Sequence, residues 1–180
     1  MIVVLDACVL FPFTLRDTLL RAAAAGLYQV RWSSEILDEM ERNLVSTATL
    51  SADKAARLRA VMDREFPEAH VTGYEPLVPR MRNHEKDRHV AAAAAKAGAH
   101  IIATSNVKDF KRLRKGIEAM SPDKFLCSMF HGDPDAVVEI LRQQAGDLNK
   151  PPMSFEALLE RLGRSVPKLV ALVQRHVVPR

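Results

Sequence analysis

The sequence predicts an α/β sandwich around a mainly parallel central sheet, extended at its C-terminal end by helices. Three observations carry that expectation. Short apolar runs rich in β-branched residues alternate with helical stretches, as in a parallel sheet with crossover helices. The first run, Ile2–Leu5, has no polar face, as a strand covered on both sides should have none. From Asp133 onward the strand signal stops and only helical periodicity remains.

Taken in order, Ile2–Leu5 is the first strand. Pro12 opens a helix in which Leu15, Leu19, Leu20 and Ala23 recur at helical spacing, and Gly26 follows its end. "YQVRW" reads as a second strand. Ser33 or Ser34 caps the next helix, whose inner face carries Ile36, Leu37, Met40 and Leu44. Ser51 caps another, which runs to about Phe66 before Pro67 stops it. The stretch from Val71 to Arg82 holds a glycine and two prolines and reads as a connection with room for one strand. "KDRHVAAAAAKAG" is a helix; its alanines let it lie close to a sheet, and Gly98 follows its end. "HIIAT" is a strand, left through "SNVKDF" as a turn into a short helix.

Ser121-Pro122 starts a further helix, with serine as cap and proline at the first position. In the tail, Asp133-Pro134 opens one helix. Ser154 opens a second, with Phe155, Leu158, Leu159 and Leu162 on one face. A third begins near Ser165 and shows Leu169, Leu172, Val173 and Val177. The expected division is an α/β domain over residues 1–132 and a helical extension over 133–180.

Composition narrows the function classes. The chain is 48% hydrophobic and 27% charged, the balance of a globular protein with a sizeable core. No apolar run approaches the roughly 20 residues that cross a bilayer. The start lacks the charged and small-residue pattern of a signal peptide, so the cytoplasm is the expected location. Cys8 and Cys127 are the two cysteines, without zinc-site spacing, and are expected as reduced thiols. The net charge of +4 says less than its distribution. Lys108, Lys111, Arg112, Arg114 and Lys115 crowd one segment, and Arg80, Arg82, Lys86 and Arg88 another. Such clusters can form the footprint of a polyanion.

The acids carry the chemical expectation. Ligands of parallel α/β sheets bind beyond the carboxyl ends of the strands, where Asp6 sits. Asp109 follows a second strand of the same kind. Glu39 lies early on the helix after the second strand, at the edge of its apolar face, with Glu35 one turn before it. Asp87 stands at the first turn of the alanine helix, where the helix dipole also favours an acid. Clustered carboxylates raise one another's pKa, and a divalent cation removes that cost. Hard Mg²⁺ or Mn²⁺ takes such oxygen ligands and can activate water against phosphorus.

With these residues in hand, the chain resembles a PIN-domain ribonuclease of the kind found as the VapC-like toxin of VapBC toxin–antitoxin pairs. The resemblance runs over about Met1–Phe130. It rests on "VVLDACVL", "SSEILDEMERNL", "KDRHVAAAAAKAGAHIIATSNVKDF" and "MSPDKFL", in that order. It implies a PIN-like three-layer α/β/α sandwich. It also implies that Asp6, Glu39, Asp87 and Asp109 are the catalytic, metal-binding acids, with Thr104 and Asn106 as the polar positions that accompany the fourth. The implied activity is metal-dependent cleavage of RNA, such as tRNA or rRNA. The implied partners are a cognate antitoxin and a second copy of the chain.

This sequence departs from the family at two places. Many members follow the first acid with a hydroxyl or amide residue; here Ala7-Cys8 follows, which removes a group expected to orient Asp6. Many also carry extra acids before the third one, where this chain has Asn83, His84 and Glu85.

The resulting expectation is hydrolysis of RNA phosphodiesters with Mg²⁺ or Mn²⁺ held by the four acids, and with Lys108, Lys111, Arg112 and Arg114 on the RNA backbone. His84 and His89 flank Asp87 as further candidates. Tyr28 and Trp32 are candidates for base stacking or for the core. One alternative is a phosphatase with Asp6 as nucleophile; such enzymes usually carry an aspartate two positions on, where this chain has Cys8. The other is a non-catalytic PIN-like RNA- or protein-binding module.

Overall fold

The computed structural model describes residues 1–148 and 151–177. Four short strands build one sheet: β1 (Ile2–Leu5), β2 (Gln29–Arg31), β3 (Ile101–Ala103) and β4 (Glu118–Met120). Their order is β2-β1-β3-β4, and every neighbouring pair runs parallel. The register sets Val3 opposite both Val30 and Ile101, and Ala103 opposite Met120. Val3, Val4 and Leu5 are fully buried, as expected of a central strand with no polar face. The anticipated α/β class with a parallel sheet and C-terminal helices is what the chain adopts.

The helices are α1 (Ala7–Leu10), α2 (Phe13–Ala24), α3 (Ser34–Ser46), α4 (Ala52–Glu65), α5 (Arg88–Ala97), α6 (Pro122–Gly132), α7 (Pro134–Asp147), α8 (Phe155–Gly163) and α9 (Pro167–Val177). Their starts follow from side-chain caps. Ser33 accepts from the Ile36 amide, Ser51 from Lys54, Ser121 from Lys124, Asp133 from Ala136 and Ser154 from Ala157, at 3.0–3.4 Å. After α5 the backbone of Gly98 turns left-handed, at φ +62°, which closes the helix in the conformation glycine tolerates best.

Two local expectations are corrected. The stretch 71–82 contains no strand. Glu75–Arg80 form a 3₁₀ turn instead, and the adjoining strand-like contact is an isolated bridge between Trp32 and His70. Pro76 and Pro79 have no amide hydrogen to give to a ladder. Conversely, β4 is a strand that periodicity does not announce. "EAM" has no β-branched residue, and it is recruited as an edge by pairing with β3.

Contacts divide the described chain into two units. One comprises Met1–Phe11 and Tyr28–Met120 and holds the sheet, α1, α3, α4 and α5. In it α5 packs on β1 and β3, while α3 packs on α1 and α4. The other comprises Pro12–Leu27 and the residues from Ser121 onward. In it α2 packs on α7 and α8, and α6 on α7 and α9. Fully buried Phe125, Leu141, Leu158 and Leu169 contribute to its core. The carboxylate of Asp123 on α6 receives the amides of Lys168 and Leu169, at 3.2 and 3.0 Å, and so caps α9. Of the loop expected between α7 and α8, Asn149 and Lys150 lie outside the described residues.

Inside the helical unit, the Thr18 hydroxyl donates to Gln144 Oε1 at 2.7 Å, and Gln144 Nε2 donates to the Thr14 carbonyl at 3.1 Å. Thr18 is 1% exposed and Gln144 is fully buried. Thr18→Val keeps the shape but strands the Gln144 carbonyl. It is expected to cost about 1–3 kcal/mol, read as a fall of about 2–4 °C in Tm per kcal/mol in a thermal melt.

Candidate active site

Asp6 emerges from β1 at the carboxyl end of the sheet. Its amide extends the ladder by donating to the Ala103 carbonyl at 3.1 Å, and the residue is 4% exposed. Thr104, the residue after β3, is fully buried, and its hydroxyl donates to Asp6 Oδ2 at 2.6 Å. The Cys8 thiol donates to the same oxygen at 3.1 Å. This corrects the expectation drawn from Ala7-Cys8: a donor does stand two residues after Asp6, with sulfur in place of oxygen or nitrogen. The thiol is itself held in place, since its sulfur accepts the Ser105 amide at 3.2 Å. Burial, and then the charge of Asp6, push the Cys8 thiol up to about 11, so it keeps the proton it donates. The Asn106 amide donates to Thr104 Oγ1 at 3.1 Å and fixes that hydroxyl from the other side.

A cavity of about 510 Å³ is lined by Glu35, Glu39, Arg42, His84, Lys86, Asp87, His89, Asn106 and Asp109; buried Asp6 does not line it but acts on Glu39 and Asp87 through its charge. The lining acids reach it by different routes. Glu39 comes from α3. Asp87 ends the 3₁₀ turn Glu85–Asp87 just before α5, and Asp109 belongs to the 3₁₀ turn Val107–Phe110. Two backbone bonds bring the last two together. The His84 amide donates to the Asp109 carbonyl at 2.9 Å, and the Asp87 amide to the His84 carbonyl at 3.0 Å.

The electrostatics show that the acids sense one another. Glu39 is pushed above the usual carboxylate range by burial, then by the charge of Asp6, with Asp87 adding to it. Asp87 is pushed up by burial, then by Asp6 and Asp109. Histidines supply partial relief. His89 is 8% exposed and sets Nε2 3.7 Å from Glu39 Oε2 and Nδ1 3.9 Å from Glu35 Oε1. His84 Nδ1 stands 3.7 Å from Asp87 Oδ2. Among the described residues none of the four acids forms an ion pair with an arginine. Oxygen donors in a repelling group suit a hard divalent cation. As the side chains stand, no group of three His, Cys, Asp or Glu among the described residues is drawn to ligating spacing.

The remaining candidates fall at different places. Lys108 is exposed on the turn that carries Asp109, and Lys111, Arg112 and Arg114 follow in the exposed loop after it. Tyr28 and Trp32 are buried, at 3% and 0% exposure, which assigns them to the core and removes them as stacking groups. Trp32 packs edge-on against Phe66 with ring centroids 5.8 Å apart. Arg42 is a lining residue that sequence reasoning missed. Its place three residues after Glu39, on the same helical face, was the available signal.

Comparison with known proteins bears on the family. Residues 2–108 match the profile of the PIN domain, and residues 122–175 match that of the VapC50 C-terminal domain. Over 110 residues the chain is 36% identical to a protein of Mycobacterium tuberculosis (strain ATCC 25618 / H37Rv) named "Putative ribonuclease VapC50". The matched part covers 59% of this chain and 65% of that protein. No solved structure matches the chain. With more than half of its length matched, and with a parallel sheet carrying Asp6 at its carboxyl end, the chain belongs to the PIN-domain family and has its α/β/α sandwich fold.

Proposed function

We propose that this chain is a metal-dependent endoribonuclease that hydrolyses RNA phosphodiester bonds and serves as the toxin of a toxin–antitoxin pair. The observation that carries the reading is the repulsion among Asp6, Glu39, Asp87 and Asp109, acids from four separate segments, of which the last three line one cavity. The similarity to a protein named as a ribonuclease supports it.

In this reading the four acids hold Mg²⁺ or Mn²⁺, with Asp6 and Asp109 as the most direct ligands. The bound cation would stabilise charge at phosphorus and acidify the attacking water. The protein's own groups do the rest. Thr104 and Cys8 lock Asp6 Oδ2, so the carboxylate cannot rotate. Glu39, whose proton affinity is raised, is suited to take the proton from the attacking water as its oxygen bonds to phosphorus, while the bond from phosphorus to the leaving oxygen breaks and that oxygen takes a proton from solvent. Lys108, on the turn that carries Asp109, and Lys111, Arg112 and Arg114, in the loop after it, would hold the RNA backbone.

All of these residues lie within 1–132, so the chemistry belongs to that part of the chain, and residues 133–180 act as a helical extension. The partners are an RNA such as tRNA or rRNA, a cognate antitoxin and a second copy of the chain. The proposed location is the cytoplasm; among the described residues no helix is long and apolar enough to cross a membrane.

Three measurements test the reading. Asp6→Asn is expected to slow Mn²⁺-dependent RNA cleavage by about a hundredfold or more; cleavage at the parent rate would refute the assignment. Mn²⁺ should raise the Tm of the parent chain, by about 2.7 kcal/mol of stability at a hundred times its Kd, and should leave Asp6→Asn almost unmoved. The third concerns pH. Glu39 and Asp87 bind protons more tightly in the folded chain than in the unfolded one. Stability of the metal-free protein therefore falls as pH rises through the window above the ordinary carboxylate pKa. Glu39→Gln should raise Tm by about 2 °C near neutral pH, with the gain vanishing near pH 4, where the parent carboxyl is protonated too. A gain that persisted at low pH would place its origin elsewhere.

A further inference from the structure

A second cavity, of about 490 Å³, lies in the same unit as the carboxylate site. Four arginines line it: Arg80 and Arg82 from one segment, Arg112 and Arg114 from another. Met81 and Leu113 are among the apolar residues between them. No carboxylate lines this groove, and among the described residues none of the four guanidinium groups pairs with an acid. All four residues are exposed. Four unneutralised cations around one concave surface repel one another, which is the inverse of the neighbouring problem.

The two cavities are built from the same stretches of chain. Residues 80–82 and 112–114 line the arginine groove, whereas His84, Lys86 and Asp87, with Asn106 and Asp109, line the carboxylate pocket. The bond from the His84 amide to the Asp109 carbonyl ties these stretches together. The Arg112 backbone sits at φ +66°, a left-handed conformation that a β-carbon disfavours.

We infer that the arginine groove is a binding site for the phosphate backbone of a single RNA strand, and that Arg80 and Arg82 are substrate-binding residues alongside Arg112 and Arg114. The inference rests on the ribonuclease reading of the adjoining pocket. It assigns to that activity a path by which a long strand is gripped outside the cleavage centre. Of the four cations named from sequence for RNA, Arg112 and Arg114 line this groove, while Lys108 and Lys111 do not. RNA is favoured over an acidic protein because the chain segments that line the groove run directly into those that line the pocket where a phosphodiester would react. Met81 and Leu113 offer apolar surface to the faces of unstacked bases.

The test measures binding and cleavage separately. Binding of a long single-stranded RNA is measured in the cleavage-impaired Asp6→Asn chain, with and without Arg80→Ala and Arg82→Ala, over a range of salt. Removing the two arginines should weaken binding about tenfold. It should also reduce the slope of log affinity against log salt by about 0.7 for each phosphate no longer neutralised. Arg112→Gly should weaken binding too while holding or raising Tm, because glycine accepts the left-handed backbone; that outcome separates a missing guanidinium from misfolding. A substrate comparison adds a second reading: the arginine variants should lose far more kcat/KM on the long strand than on a dinucleotide, which is too short to occupy both cavities.

Unchanged affinity and salt slope would overturn the groove. Cleavage that still depended on Asp6 would then leave the ribonuclease reading standing. Loss of poly-glutamate binding with RNA affinity intact would also overturn it, and would make the groove a surface for an acidic protein.

Discussion

Repulsion among Asp6, Glu39, Asp87 and Asp109 is the constraint around which the carboxyl end of the sheet is arranged. Burial first, and then the charges of neighbouring acids, raise the proton affinity of Glu39 and Asp87, and a fold that keeps these groups together must hold them there against that force. The surrounding bonds do this. Asp6 is pinned through one oxygen by a hydroxyl and a thiol. Asp87 and Asp109 are carried on turns joined through the backbone of His84. Glu39 rides on a helix whose first turn is fixed by Ser33. The strain is electrostatic, and the scaffold that resists it consists of ordinary caps, ladders and turns.

Cys8 shows how a departure from a family pattern is absorbed. From sequence alone, replacing a hydroxyl or amide two residues after Asp6 looks like a missing donor. In three dimensions the sulfur occupies the position between Asp6 and the loop after β3, donating to one and accepting from the other. Burial beside an anion raises its pKa, so the group stays protonated and keeps its donor role. A thiol is a weaker donor than a hydroxyl, and Thr104, at 2.6 Å, supplies the shorter bond to the same oxygen.

Much of the fold and site was legible because it depends on local chemistry. Serine and aspartate caps mark helix starts, and Gly98 marks a helix end, since backbone groups at helix termini need partners whatever the tertiary context. Ile2–Leu5 and "HIIAT" are strands because an unbroken apolar run has to be covered on both sides. The acids could be selected because strand ends and early helix turns are the places where side chains converge on a parallel sheet. The misses have equally physical causes. β4 has no pattern of its own and exists because β3 offers it an edge. The stretch 71–82 has the apolar content of a strand, but its prolines cannot join a ladder. That Arg80 and Arg112 line one cavity was invisible because residues far apart in sequence carry no signal of their distance in space.

By itself the sequence indicated the α/β class, the parallel sheet and most helix starts, and it nominated the acids as candidates, because periodicity, capping and strand-end position are properties of neighbouring residues. Only the tertiary structure decided which charges meet. It set Glu39, Asp87 and Asp109 against one cavity, with Asp6 acting on Glu39 and Asp87 through its charge, and four arginines around another. It buried Trp32 and Tyr28, and it joined α2 to the C-terminal helices through the Thr18–Gln144 bond. Electrostatic and packing energies depend on distance through space, and that distance is fixed only when the chain closes on itself.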